Sequence, residues 1–202
     1  MTDAWQPPAA PAQFAFSAEN EARARTIIAR YPQGRQHSAV MPLLDLAQRQ
    51  QGWLPPAAIE HVARFLEMPR IRVQEVASFY TMYRLRPVGR HLVQVCTTTP
   101  CWLRDSDAVV AACKNKLGVE FGGTTADGKF TLLEVECLGA CVNAPMLQID
   151  DDYYEDLTPE ATERILDAFA RGEKPAPGPQ GGRRSSEPTG GPTTLAQFTK
   201  DG

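Results

Sequence analysis

The chain has 202 residues, 43% of them hydrophobic, enough for one ordinary domain with an appendage, or two small domains, and for a substantial buried core. A formal net charge of −3 leaves no basic footprint, which argues against a nucleic-acid binder, and no stretch approaches the ~20 apolar residues that a membrane-spanning helix needs. The opening residues, Met1 to Pro8, lack the charged and apolar regions of a secretory signal, so the five cysteines are expected in a reducing compartment, where clustered thiols bind metal more often than they form disulfides.

Residues 1–16 are rich in Ala, Pro and Gln and read as an N-terminal arm rather than a packed element. Ser17 is suited to cap a helix running to about Tyr31, with Glu19 and Glu21 in the first turn where the macrodipole favours acids; Pro32 and Gly34 stop it. A second helix is predicted from Ser38 to Gly52, with Val40, Leu43, Leu44 and Ala47 on one side and Pro42 tolerated near its first turn. The turn Trp53-Leu-Pro-Pro56 launches a third, in which Ile59, Val62, Ala63 and Leu66 repeat at helical spacing up to Pro69. A fourth is predicted from Val73 to about Tyr83, with Phe79, Tyr80, Met82 and Tyr83 expected as aromatic core packing, and contact with a partner or cover for the cysteine site as the alternative. Together these form an expected helical domain over 17–86 with no titratable cluster. The polar segment Arg84 to Arg90 reads as the link that follows.

The second domain is expected over 87–172: strand 91–96, a cysteine loop, helix 103–117, strand 130–136, a second cysteine loop, strand 146–149, a turn at Asp150 to Asp152, strand 153–155 and helix 159–171. A strand-helix-strand unit followed by a hairpin and a covering helix is a thioredoxin-like topology, which makes the whole chain α+β: a helical bundle followed by a thioredoxin-like α/β domain. From residue 173 to 202 the composition turns to Pro, Gly, Ser and Arg, which cannot bury enough apolar surface to order itself.

The chemistry lies in Cys96-Thr-Thr-Thr-Pro-Cys101 and Cys137-Leu-Gly-Ala-Cys141, each of which directly follows an apolar run. If the two strands lie side by side and parallel, their carboxyl ends carry both loops to one sheet edge and four sulfurs converge. Four cysteines hold either a structural Zn2+ or an iron-sulfur cluster. The x4 and x3 spacings spread the sulfurs wider than the tight Cys-x2-Cys turns of zinc knuckles, although zinc loops with longer spacers exist. A cluster of two irons, two sulfides and four thiolates carries a formal charge of about −2 oxidised and −3 reduced, and therefore needs donors and no close carboxylate. Thr97, Thr98 and Thr99, with Leu138, Gly139 and Ala140, supply those donors, and no acid lies inside either loop. Cys101 is expected to open a helix whose N-terminus favours thiolate, and Arg104, placed about 8 Å away at an effective ε of about 20, adds roughly 2 kcal/mol, or on the order of 90 mV for one electron.

Other residues have simpler readings. Cys113 falls on a helix far from either loop and is expected as a buried small hydrophobe. His37, His61 and His91 show no ligand spacing, and the acids Asp150-Asp-Asp152, Glu155 and Asp156 lack the alternation and central Gly of a calcium loop, so a solvated turn is expected. Asp105, with Ser106 and Asp107, reads as a helix start with Asp105 as its cap. The chain has neither a Gly-x-Gly-x-x-Gly turn nor a Walker loop, so neither NADH nor FMN is expected to bind, and no residue is assigned a catalytic role. Cys-x4-Cys also lacks the Cys-x-x-Cys of dithiol oxidoreductases.

Cys-Thr-Thr-Thr-Pro-Cys-Trp-Leu-Arg, Glu-Cys-Leu-Gly-Ala-Cys-Val-Asn-Ala-Pro and, upstream, Ala77-Ser-Phe-Tyr-Thr-Met-Tyr83 resemble the thioredoxin-like 2Fe-2S subunit of the NADH-dehydrogenase module of respiratory complex I, over about residues 20–195. The resemblance implies one 2Fe-2S cluster on Cys96, Cys101, Cys137 and Cys141 and an electron carrier without a complete active site of its own. It implies as partners the FMN- and NADH-binding flavoprotein subunit and the other subunits of the peripheral arm, within a complex that couples NADH-to-quinone electron transfer to proton pumping. The same signature occurs in NAD-linked hydrogenases and formate dehydrogenases, which stand as alternative parent complexes; a redox-silent zinc module is the alternative of another class. Also implied are a position on the cytoplasmic side of a bacterial inner membrane or the matrix side of a mitochondrial one, a cluster off the main relay to quinone that stores one electron, and a C-terminal tail that docks extended on the partner through Arg183 and Arg184.

Overall fold

Ser17 caps the first helix, its hydroxyl accepting from the Asn20 N–H at 3.2 Å, and α1 spans Ala18–Ile28 in the computed structural model, which describes residues 5–191 and 193–195. The rest of the expected arm and tail, residues 1–4, 192 and 196–202, lies outside the described residues. By its contacts the chain divides into two units, Gln6–Val88 and the residues from Gly89 onward together with Trp5.

In the first unit a 3-10 turn, Gln36–Ala39, leads into α2 (Val40–Gln51), so the predicted start at Ser38 falls in the turn rather than the helix. Gly52 ends α2 with φ of 87°, a left-handed value that a side chain would strain. Pro56 opens α3 (Pro56–Phe65), and α4 spans Arg70–Phe79. Leu43, Leu44, Ile59, Val62, Leu66 and Val73 fill the core between them.

Two expectations fail in this unit. The fourth helix ends at Phe79 and Tyr80 is extended, so the helical period stops short of Tyr80, Met82 and Tyr83. Phe79 is 77% exposed, Tyr80 and Met82 are exposed as well, and of the four only Tyr83 is buried, its hydroxyl donating to the Met41 carbonyl at 2.9 Å. Conversely, the end of the expected arm is packed: Phe14 and Phe16 are buried against His61, and Phe16 also against Phe65. Gln50 makes this possible by satisfying the backbone on either side, donating to the Ala15 carbonyl at 2.9 Å and accepting from the Ser17 N–H at 3.0 Å. His61 takes the Phe16 N–H on Nε2, and burial, then Arg64, holds its pKa below the usual imidazole value.

The second unit is built on a five-stranded sheet of order β2-β1-β3-β4-β5. β1 (His91–Cys96) lies parallel to β2 (Phe130–Val135) and antiparallel to β3 (Leu147–Ile149), which pairs antiparallel with β4 (Asp152–Glu155). Gly89 permits the close entry into β1, since a Cβ there would stand 2.8 Å from the Phe130 carbonyl carbon. The predicted helix 103–117 starts later, as α6 (Ser106–Leu117), because Asp105 takes a left-handed φ of 69° and separates it from a preceding single turn, α5 (Thr99–Leu103). Asp105 makes no side-chain cap bond, contrary to its expected role. α7 (Pro159–Ala170) begins at Thr158, whose hydroxyl accepts from the Ala161 N–H at 3.2 Å. α6 and α7 pack together, and with the sheet they enclose Val93, Val109, Cys113, Leu132, Ile149 and Tyr154.

The turn at Asp150 is more than solvated: its carboxylate takes the Leu92 N–H at 3.0 Å and lies 2.7 Å from His91 Nδ1. The start of the tail also departs from expectation. Instead of waiting for a partner, Gly178–Pro179 forms β5, parallel to β4, and the Arg183 guanidinium is engaged by Asp156 of its own unit. Backbone pairing and this ion pair supply the ordering that the apolar content of the tail could not.

Candidate metal centre

The register of β1 on β2 positions the first and third cysteines. Cys96 is the last residue of β1 and stands opposite Val135, two residues before Cys137, so the two loops leave the same edge of the sheet side by side. Cys101 follows on α5 and Cys141 opens a 3-10 turn, Cys141–Asn143. Cys96 and Cys101 are buried over a floor of Ala144 and Met146, with Leu138, Ala140 and Tyr153 alongside; Cys137 and Cys141 are exposed. Cys113 lies in the core of the unit, away from this group, where burial pushes its thiol up to about 12.

The sulfurs address one another in pairs. Cys137 Sγ and Cys141 Sγ are 3.3 Å apart, Cys96 interacts with Cys101 and Cys137, and Cys101 with Cys141. Among the described residues no three Cys, His, Asp or Glu side chains are gathered so as to hold one metal ion. The four thiols are a set of pairs around a shared volume.

Donors hold two of these thiols down, and burial or a neighbouring sulfur pushes the other two up. Burial raises Cys96, but the Thr98 hydroxyl at 3.3 Å, the Thr98 N–H, Cys101 and the Leu138 N–H together outweigh it and hold its pKa below the ordinary thiol value. The Gly139 N–H lowers Cys137. Burial pushes Cys101 up to about 12, with Cys96 adding to the effect, and Cys141 is raised by Cys137. α5 is a single turn, and at Cys101 burial outweighs the donors that would favour thiolate.

Of the expected donors, Thr98, Leu138 and Gly139 point at sulfur, whereas the Thr97 hydroxyl turns away to the Glu134 carboxylate at 2.7 Å. Arg104 is exposed to solvent, where salt screens its charge. Sequence reading missed two groups. The Met146 N–H donates to Cys101, and the Tyr153 hydroxyl donates to the Leu138 carbonyl at 2.8 Å, pinning the second loop. Neither has a local signal, because both reach the loops from β3, β4 or their flanks.

The donor set fits an iron-sulfur cluster: four thiols, N–H and O–H groups directed at sulfur, and a mostly apolar floor. His91, at the opposite end of β1 from Cys96 and bound to Asp150, is remote from it, and His61 belongs to the helical unit.

Comparison with known proteins agrees. Residues 24–170 match the family model of the thioredoxin-like [2Fe-2S] ferredoxin. The chain is 60% identical over 155 residues to the E subunit of the NADH-quinone oxidoreductase of Rickettsia bellii (strain RML369-C), covering 76% of this chain and 93% of that one. It is 56% identical over 158 residues to the corresponding E subunit of Rickettsia felis (strain ATCC VR-1525 / URRWXCal2), covering 78% and 95%. Among solved structures, an NAD+-reducing [NiFe]-hydrogenase in the H2-reduced state shares the fold with a TM-score of 0.56 at 17% identity, over 64% of this chain and 22% of that one. By the family match and by relatives covered almost end to end, the chain belongs to the thioredoxin-like [2Fe-2S] ferredoxin family, in the group of the E subunits of NADH-quinone oxidoreductase.

Proposed function

We propose that Cys96, Cys101, Cys137 and Cys141 are the four ligands of the 2Fe-2S cluster, and that the chain passes single electrons between this cluster and the FMN of an NADH-binding flavoprotein subunit. The observation that carries the ligand assignment is the parallel register of β1 and β2, which brings two loops 36 residues apart in sequence, measured from Cys101 to Cys137, to one edge. The bound cluster supplies one-electron chemistry. The residues of the chain do the rest: Thr98, Leu138, Gly139 and Met146 direct donors at the thiols, and Met146 and Ala144 exclude water from beneath them.

The chain is the electron-carrying E-type subunit of an NADH-quinone oxidoreductase, a part of that enzyme rather than an enzyme alone. The likeness to the hydrogenase bears on the fold alone, so the hydrogenase and formate dehydrogenase alternatives are less well supported than complex I. A flavoprotein partner is supported by an exposed apolar rim, Trp102 and Leu103 after Cys101 and Val142 after Cys141, which suits contact with another subunit close to the sulfurs. No helix among the described residues is long and apolar enough to cross a membrane. We place the subunit peripherally, on the cytoplasmic side of a bacterial inner membrane, held there through the complex.

The test is low-temperature EPR with iron and acid-labile sulfide assays on the purified chain. A signal that appears only on reduction is expected in the wild type and in Cys113→Ser. Serine at each of the four proposed ligands should abolish or badly destabilise it. A full complement of iron and sulfide in Cys137→Ser would overturn the ligand assignment. Failure of the chain to copurify with a flavin-containing subunit would remove the proposed partner.

A further inference from the structure

The turn that begins with Cys141 is held by residues that come forty positions later. Val142 and Asn143 complete it, and their polar groups are met from the start of the tail and from the end of β4. The Arg183 Nη2 donates to the Val142 carbonyl at 3.0 Å. Asn143 Nδ2 donates to the Ser185 carbonyl at 3.0 Å and to the Glu155 carboxylate at 2.5 Å, and the Asn143 carbonyl accepts from the Asp156 N–H at 2.7 Å.

Arg183 ties these contacts together. Its Nε donates to Asp156 Oδ2 at 2.6 Å and its Nη2 to Asp156 Oδ1, with the two side chains only 13% and 12% exposed. Its Nη1 reaches the Glu187 carbonyl at 3.2 Å. One planar guanidinium therefore spans a carboxylate, the cysteine turn and the far end of the tail segment, which a lysine ammonium cannot do from a single position. The approach is delivered by β5, continued by the Gln180 N–H on the Glu155 carbonyl at 2.9 Å, and by Gly181, where a Cβ would lie 3.3 Å from that of Asp156.

We infer that residues 178–187 form a strap that fixes the second cysteine loop, and that Arg183, paired with Asp156, is the positioning residue that sets the place of Cys141. The inference rests on the reading of Cys141 as a cluster ligand. The strap explains how an exposed thiol on a three-residue turn is held in place without the cover that Cys96 and Cys101 have. It also assigns the Arg183 charge to the chain's own loop.

The test compares the full-length, cluster-loaded wild type with R183A, R183K, D156N and, as a control for loss of a surface pair elsewhere on the unit, R171A. The readouts are the line shape of the reduced EPR signal, the rate of bleaching by an iron chelator, and hydrogen exchange at the Gln180 and Asn143 amides. For R183A and D156N the expected result is bleaching faster by about tenfold, as a largely enclosed charge pair is broken and the loop opens more often, with an altered line shape and faster exchange at both amides. R183K, which keeps the charge but loses the fork, should fall between R183A and the wild type, while R171A should match the wild type. Wild-type line shape and bleaching in R183A, with the Gln180 amide deprotected, would overturn the inference, because the strap would then have been released without consequence for the loop. If R183A does not accumulate, Gly181→Val carries the same test by pressing on Asp156 without removing a charge. Cys141→Ser, measured in parallel, separates the two ideas: a full cluster there defeats the ligand assignment, whatever the strap variants do.

Discussion

Thr98→Val removes a single hydroxyl from the metal centre with almost no change of shape. That hydroxyl lies 3.3 Å from Cys96 Sγ, and once the thiol is a thiolate only the hydroxyl can donate. Thr98 also precedes α5 but makes no side-chain cap bond, so the substitution removes no cap, and stability should stay within about 0.5 kcal/mol. A hydrogen bond to a charged acceptor is worth about 2 kcal/mol, and the site charge grows by about half on reduction, so the reduced form loses about 1 kcal/mol more than the oxidised form. For one electron that is a midpoint potential lower by about 40 mV. The Thr98 N–H remains in place and keeps the loop addressed to Cys96. The assay is a dithionite-mediator titration followed by EPR on wild type, Thr98→Val and Thr98→Ser, with the serine variant expected within about 15 mV of wild type because it retains the donor. A rise in potential, or a drop of less than about 10 mV with the cluster intact, would refute the reasoning, since the hydroxyl would then contribute nothing to the charge balance at Cys96.

Asp105 holds a left-handed φ of 69° that Gly and Asn accept easily, so Asp105→Ala should cost about 1 kcal/mol in urea unfolding, while Asp105→Gly should be neutral or stabilising. Because its carboxylate is exposed and makes no cap bond, Asp105→Asn should move the midpoint potential by less than about 50 mV. Burial lifts Cys113 from an ordinary 9.0 to about 12 in the folded chain, so its contribution to stability is complete below pH 9 and is lost as the pH rises through 12. Between pH 9 and 10, Cys113→Ala should flatten the fall of unfolding free energy relative to the wild type by up to about 1.4 kcal/mol per pH unit; an unchanged slope would show that the thiol does not titrate differently on unfolding. Phe79→Ala should leave thermal stability within about 0.5 kcal/mol, whereas Tyr83→Ala, which empties a buried site and frees the Met41 carbonyl, should cost about 3 kcal/mol; the reverse order in a thermal melt would place the aromatics the other way round.

What was legible in the sequence is what a few neighbouring residues decide. Ser17 and Thr158 start helices with their own hydroxyls, Pro56 and Pro159 occupy first turns, and Gly52, Gly118 and Gly172 end helices in left-handed conformations. The two apolar runs before the cysteine pairs read as strands because they are short and bounded by turn residues, and the parallel pairing on which convergence of the four sulfurs was conditional is the one found. The errors fall where a distant group overrides the local pattern. Phe14 and Phe16 sit in a stretch of arm-like composition, yet Gln50, more than thirty residues on, satisfies the backbone around them. Tyr80 continues a helical pattern, but the backbone leaves the helix there and exposes it.

The same division runs through the metal centre and gives its two halves different means of support. The first pair of cysteines is secured by local structure, Cys96 by a strand hydrogen-bonded on both sides and Cys101 by a one-turn helix over Met146, and both are buried. The second pair leaves the carboxyl end of an edge strand, β2, whose outer side exchanges backbone hydrogen bonds with Gly122 to Thr125 near its start, and both of its thiols are exposed. Its loop is held by Tyr153 on the Leu138 carbonyl, and by Arg183, Asp156 and the Ser185 carbonyl on the turn after Cys141. A cysteine spacing reveals the thiols because they must be close in sequence to close a short loop. It is silent about side chains that arrive from fifteen or forty residues away, and a loop at the edge of a sheet depends on those.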